Sequence, residues 1–198
     1  CSSDRGLCGA IHSSVSKLTR HIVRSEPNAT SVAVLGDKAK PQIARDARKA
    51  IAISFSGVGR NIPVMQDAVT ILETIRKAEL KPENLSIIYN TFESVIAYKS
   101  ILVPIPSTAQ LKASPKMNAY EVSGDVLGNY ADFLLASRLY WALVEGHAAE
   151  MAAKRTAMEN ASKNAEEISL NLQMKYNRTR QAVITNELVD IITGASAL

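Results

Sequence analysis

At 198 residues and 46% apolar content the chain can bury one sizeable core and still extend a further element, which excludes a disordered or fibrous polypeptide. Two cysteines, Cys1 and Cys8, exclude a disulfide framework and fit a reducing compartment. The formal charge is +4, and residues 122–198 hold seven Lys and Arg against nine Asp and Glu, so the basic excess lies on the first part; its cations are scattered with almost no aromatic interleaving, the pattern of a solvated surface and not of a nucleic-acid site.

The first part alternates strand and helix. Residues 1–4 read as the tail of a strand, followed by a glycine-bearing turn, Arg5-Gly-Leu-Cys-Gly9. A helix then places Ile11, Val15, Leu18 and Ile22 on one face and ends near Pro27. Thr30 to Leu35 is a short apolar strand closed by Gly36-Asp37, Pro41 to Lys49 a poorer helix, and Ala50 to Phe55 a second strand. A third helix opens at Pro63, suited to a first helical position, and turns Val64, Ala68, Ile71 and Ile75 inward. Leu85 to Tyr89 and Ser94 to Val103 are strands joined by a hairpin link, Asn90 to Glu93, and Pro104 and Pro106 stop the second. Strands separated by single helices imply a mostly parallel sheet of Rossmann-like α/β type with an antiparallel edge. This α/β domain occupies residues 1–106, and residues 107–121 form an irregular connection.

Residues 122–198 read as one helix. No proline follows Pro115, and at about 1.5 Å per residue the segment would run on the order of 100 Å. Stepping by four and three from Tyr140 gives Val144, His147, Met151, Lys154 and Met158, then on through Ala161, Ala165, Ile168 and Leu172 to Val189, a narrow stripe suited to one partner helix in a coiled coil. Near the end, Asn177, Arg180 and Gln181 share a side away from the stripe, and their guanidinium and amide groups suit bidentate contact with carboxylates. Beyond them Leu188, Ile191 and Ile192 help make the tip apolar nearly all round, out to Leu198, which calls for an enclosing sleeve.

Catalytic chemistry finds little support. The turn before the first helix has neither the spacing nor the lysine of a P-loop and lacks the triple-glycine dinucleotide fingerprint, so it reads as a tight crossover turn. Cys8 and His12 lie one helical turn apart without a third orienting group in view, so packing explains them. Asp4 and Arg5 read as loop residues capping the neighbouring helix, and the three histidines have no metal-ligand spacing. No apolar run is long enough to span a bilayer, and no signal-peptide pattern is present. The opening at Cys1, without methionine, suggests a processed, truncated or partly covered product.

Three stretches carry a resemblance: Ser2-Ser-Asp-Arg-Gly-Leu-Cys-Gly-Ala10, Met158-Glu-Asn-Ala-Ser-Lys-Asn-Ala165, and Tyr176-Asn-Arg-Thr-Arg-Gln-Ala-Val-Ile-Thr185 through Gly194-Ala-Ser-Ala-Leu198. Together they resemble the gamma subunits of F-type ATP synthases, in wording nearest the mitochondrial, fungal-like form, over the whole chain in order. The family's N-terminal helix and most of its first strand have no counterpart here. The resemblance implies a non-catalytic central-stalk rotor with no cofactor of its own, on the matrix side of the mitochondrial inner membrane without inserting into it. It implies that the long helix is half of an antiparallel coiled coil within a ring of alpha and beta subunits, and that the foot rests on small delta and epsilon subunits and the membrane c-ring. Arg180 and Gln181 would meet an acidic loop of a beta subunit. Two other readings of the same residues are a coiled-coil interaction adaptor with a basic α/β head and no rotary role, and a small Rossmann-like enzyme binding nucleotide at the Arg5 to Gly9 turn.

Overall fold

A computed structural model describes residues 1–26, 30–78, 85–121 and 126–196. The elements run α1 (Ile11–Ser25), β1 (Val32–Leu35), α2 (Lys40–Ala47), β2 (Ile51–Phe55), α3 (Met65–Lys77), β3 (Leu85–Phe92), β4 (Tyr98–Ile105), α4 (Thr108–Lys112) and α5 (Val126–Ser196). The chain divides into two compact units, Cys1–Thr156 and Ala157–Leu198.

In the first unit β1 and β2 pair in parallel, Leu35 opposite Phe55, with a register shift after Val32. The two β-branched, apolar strands are too short to stand alone, and α2 crosses between them. β3 and β4 form an antiparallel hairpin from Leu85 opposite Ile105 to Phe92 opposite Tyr98. The opening residues lie between these ribbons: the Ser2 amide donates to the Leu35 carbonyl at 2.9 Å, and the Cys1 nitrogen donates to the Ile88 carbonyl. Residues 1–4, expected as the tail of a strand, carry no assigned strand and are held beside the ribbons by bonds such as these. The main core gathers Leu35 of β1, Ala68 and Ile71 of α3, Ile87, Tyr89 and Ile105 of the hairpin, and Leu139, Ala142 and Leu143 of α5. Smaller clusters form around Cys8, Ile11 and Ala149, and around Val34, Ala39 and Ile43.

Several details differ from the sequence expectations. α3 begins at Met65 with Val64 as its N-cap, so Pro63 precedes the helix and Val64 stays exposed; the Asp67 carboxylate takes the Val64 amide at 3.0 Å and closes the first turn. The buried side of α1 carries Ile11, Val15 and Val23 together with Ser16 and Thr19, leaving Leu18 and Ile22 half-buried. Both hydroxyls bond the carbonyl one turn back, Ser16 to His12 at 2.8 Å and Thr19 to Val15 at 2.9 Å, so polar residues enter the core without an unmet donor. β4 continues through Pro104, opposite Ser86. That is tolerable because a proline removes only one donor from a strand paired on one side in this hairpin. The 107–121 connection holds α4, closed by a Ser107–Gln110 capping box, and a short 3₁₀ turn, Pro115–Ala119. The expected start of the long helix at Val122 lies outside the described residues.

Asn90 explains why the hairpin turns later than the sequence implied. It is buried, its amide nitrogen donates to the Ile11 carbonyl at 3.0 Å, and its oxygen accepts from Ser100 at 2.6 Å and Ser14 at 3.2 Å. A residue so satisfied belongs inside β3, and the link moves to residues 93–97. Asn90→Ala should lower unfolding free energy by about 1–3 kcal/mol, because it strands partners in the α1–β3 contact. The only tryptophan, Trp141, lies in this unit and gives the denaturant midpoint that checks it.

Candidate functional site

Within the first unit, the turn before α1 is a structural knot. Asp4 accepts from the Asp37 amide at 2.7 Å through Oδ1 and from the Gly57 amide at 2.5 Å through Oδ2, and Arg60 stands 3.8 Å away. It therefore ties together the loops after β1 and β2 instead of capping α1, whose N-cap Ala10 has no side-chain cap. Arg5 likewise reaches the Arg60 carbonyl at 2.5 Å. His12 does have an orienting partner, one the sequence reading missed. Ser2 Oγ lies 2.9 Å from Nδ1, and the Arg5 carbonyl and Cys8 Sγ lie 2.8 and 3.1 Å from Nε2. Ser2 is ten residues away along the chain, so only the fold brings it near.

This arrangement resembles a nucleophile site in outline but not in chemistry. Cys8 is 2% exposed, and burial first, then the charge of Glu150, pushes its thiol above the usual range. A buried, protonated thiol is a poor nucleophile. Iodoacetamide at pH 8 should leave Cys8 unmodified in the folded chain and label it only in denaturant, as peptide mass mapping would record. The cavity beneath the turn, lined in part by Ser2, His12, Gly59 and Glu150, measures about 40 Å³. That holds a few waters at most, far below the several hundred Å³ of a nucleotide-sized pocket. Among the described residues no group of three or more His, Cys, Asp or Glu is placed to hold a metal ion.

The first unit's stretch of α5 shows two faces. Leu139, Ala142, Leu143, Ala149 and Glu150 are buried, whereas the stripe through Tyr140, Val144, His147 and Met151 is half-buried or exposed. The face buried deepest on the foot is therefore not the stripe, although Tyr140 packs against the main core and His147 lines the cavity. Val144 is exposed, and toward the N-terminal end Val126, Tyr130 and Phe133 continue the stripe in exposed positions at the same spacing.

The second unit holds the residues singled out for contact. α5 is unbroken to Ser196, and every described residue from Met158 to Ser196 is exposed, including Leu170, Leu172, Met174 and Tyr176. Thr185 and Thr193 bond back to the carbonyls of Gln181 at 2.8 Å and Val189 at 2.9 Å, so their hydroxyls do not compete with the helix. Arg180 is exposed and, among the described residues, makes no ion pair. Helical periodicity puts Gln181, Ile184, Leu188 and Ile191 on one face, roughly opposite Ala182 and Val189 of the stripe, with Arg180 and Ile192 flanking it. Leu188, Ile191 and Ile192 are 53, 67 and 63% exposed. Leu198 lies outside the described residues. Isolated exposed apolar residues need no explanation, but a bare helix carrying them on several sides does.

A family model described as ATP synthase matches residues 1–198. The chain is 42% identical to the ATP synthase subunit gamma, mitochondrial, of Yarrowia lipolytica, over all of this chain and 68% of that one. It is also 42% identical to the ATP synthase F(1) complex subunit gamma, mitochondrial, of Rattus norvegicus, over all of this chain and 74% of that one. In fold it is similar to a chain of the Euglena gracilis mitochondrial ATP synthase OSCP/F1/c-ring assembly, with a TM-score of 0.84 at 21% identity, covering 99% of this chain and 70% of that one. A chain of the Tetrahymena thermophila mitochondrial ATP synthase central stalk and c-ring is similar with a TM-score of 0.69 at 24% identity, covering 81% of this chain and 73% of that one.

Proposed function

This chain belongs to the ATP synthase gamma-subunit family, and on that footing we propose how it works: as the central-stalk rotor that couples c-ring rotation to conformational change in the ring of alpha and beta subunits. The observation that carries the reading is the second unit, a regular helix from Ala157 to Ser196 whose apolar side chains are exposed along its length. Such a surface is stable in water only when enclosed, and the alpha/beta ring is a sleeve of the required kind. The opposed faces of the tip, with Ala182 and Val189 on one and Leu188 and Ile191 on the other, differ in size and shape. A turning shaft therefore presents a changing surface to each catalytic site and biases it among conformations of different nucleotide affinity. Bond making and breaking belong to the ring, and this chain contributes mechanical coupling without a catalytic residue or cofactor of its own.

Arg180 and Gln181 act in this reading as an electrostatic latch on an acidic loop of a beta subunit, and Leu188, Ile191, Ile192 and Leu198 fill the sleeve above it. The foot, with shaft and connection divided near residues 106 and 121, seats on the delta and epsilon subunits and the c-ring, at the matrix side of the mitochondrial inner membrane. Among the described residues no helix is long and apolar enough to cross a membrane. A tagged pull-down of the native protein in mild detergent, read by mass spectrometry, tests the reading. Stoichiometric alpha and beta subunits with small foot subunits are expected. Recovery of a lone helical partner would replace the rotor with a coiled-coil adaptor.

A further inference from the structure

A rotor must pass torque from its foot to its shaft helix, and most of the contact between them in the first unit cannot do so alone. Leu139, Ala142 and Leu143 pack on Ile71, Ile87 and Tyr89 through apolar burial, which resists separation but is non-directional. A helix held only in that way can roll about its axis. Directional contacts are needed to fix its rotation.

Among the described residues, two carboxylates tie the lower part of α5 to the elements beneath it. Arg76 of α3 pairs with Asp132, but both side chains are more than half exposed, where a pair contributes little. The other tie centres on Glu145. Its carboxylate accepts from Thr91 Oγ1 of β3 and, at 2.6 Å, from the indole Nε1 of Trp141. The Tyr89 hydroxyl, also on β3, faces the same carboxylate and the Trp141 indole. Burial first, and then the Glu145 charge, raises the Tyr89 pKa. Hydroxyls from two alternate positions of one strand thus converge on one charged group of the helix. A roll of α5 on β3 breaks both contacts together.

We propose that Glu145 is the positioning residue that fixes the roll of α5 on the β3–β4 hairpin, so that rotation applied to the foot reaches the shaft without slip. The proposal rests on the rotor reading. Its test uses the assembled ATP synthase in sealed vesicles, with protons pumped per ATP hydrolysed as the measure. Loss of two charge-assisted contacts in Glu145→Ala should lower that ratio about three- to tenfold with hydrolysis changed less than about twofold. Glu145→Gln keeps one acceptor oxygen and should retain most of the ratio, and Thr91→Val, which removes a single donor at nearly constant shape, should fall between them. Fluorescence of Trp141 should shift in both Glu145 variants and report the local change directly. A ratio in Glu145→Ala and Thr91→Val equal to that of the unsubstituted enzyme overturns the proposal, as does a parallel fall of pumping and hydrolysis matched by the core variant Leu143→Ala, which would mark a loss of stability only. If the unsubstituted chain does not assemble into a complex that pumps on ATP hydrolysis, the rotor reading fails instead.

Discussion

Replacing Gly36 by alanine should cost about 3–5 kcal/mol of foot stability, the sum of a left-handed backbone strain and a backbone clash. Gly36 sits at φ +91°, where only glycine is at ease, directly after β1. A Cβ there would stand 2.6 Å from both the nitrogen and the Cα of Ser3, which are main-chain atoms and cannot swing away. Ser3 is pinned as well: its carbonyl accepts from Lys38, and a Cβ on Gly59 would lie 2.7 Å from its Cβ. The opening segment therefore threads between two glycines, and its neighbours Ser2 and Asp4 make the contacts that join the loops after β1 and β2. Gly9→Ala supplies the control. Gly9 also has a positive φ, +63°, but a Cβ there meets nothing within 4 Å. It should lose only about 1–2 kcal/mol, the strain without the clash. Chemical denaturation followed at Trp141 separates the two. Equal midpoints for Gly36→Ala and Gly9→Ala would show that the Ser3 approach carries no energetic weight.

What could be read without coordinates was the periodic part of the chain. The helix through residues 126–196, the crossover of β1, α2 and β2, and the hairpin all announce themselves through spacing and turn residues. What stayed hidden depends on partners distant in sequence. Asn90 looked like a link residue because nothing local shows that Ile11 and Ser100 would satisfy its amide. Asp4 looked like a helix cap because Asp37 and Gly57 are remote along the chain. Ser16 and Thr19 broke the apolar pattern of α1, yet their hydroxyls are met within the helix, and burial follows. In α5 the regular stripe through Tyr140 and Val144 was the strongest period, but small residues such as Ala142 and Ala149 are the ones fully buried, and small residues carry little weight in a hydrophobic pattern. At the second unit the residues themselves had to be recognised as a set. An exposed Arg180 beside Gln181 is common on helices, and neither geometry nor charge within this chain singles it out.

That exposure makes Arg180→Ala a clean experiment on coupling. In the chain itself the guanidinium makes no ion pair among the described residues, so its loss should change folding by no more than about 0.5 kcal/mol. Any larger effect in the assembled enzyme then reports a contact made only there. If Arg180 holds a carboxylate of a beta subunit, its removal costs about 1.5–3 kcal/mol at that step of the cycle, or roughly a tenfold to hundredfold change in the rate or equilibrium it governs. In the rotor reading the ring would also meet the shaft at its apolar tip, so ATP turnover should persist while synthesis driven by a proton gradient falls further. Arg180→Lys should recover only part of the loss, since an ammonium cannot reproduce a planar bidentate pair. Gln181→Ala should add less than its single effect when combined with Arg180→Ala, because neighbours serving one loop are not independent. Synthesis, hydrolysis and proton coupling all equal to those of the unsubstituted enzyme would leave Arg180 an ordinary solvated side chain. The apolar face of Ile184, Leu188 and Ile191 would then be the surface through which the shaft addresses the ring.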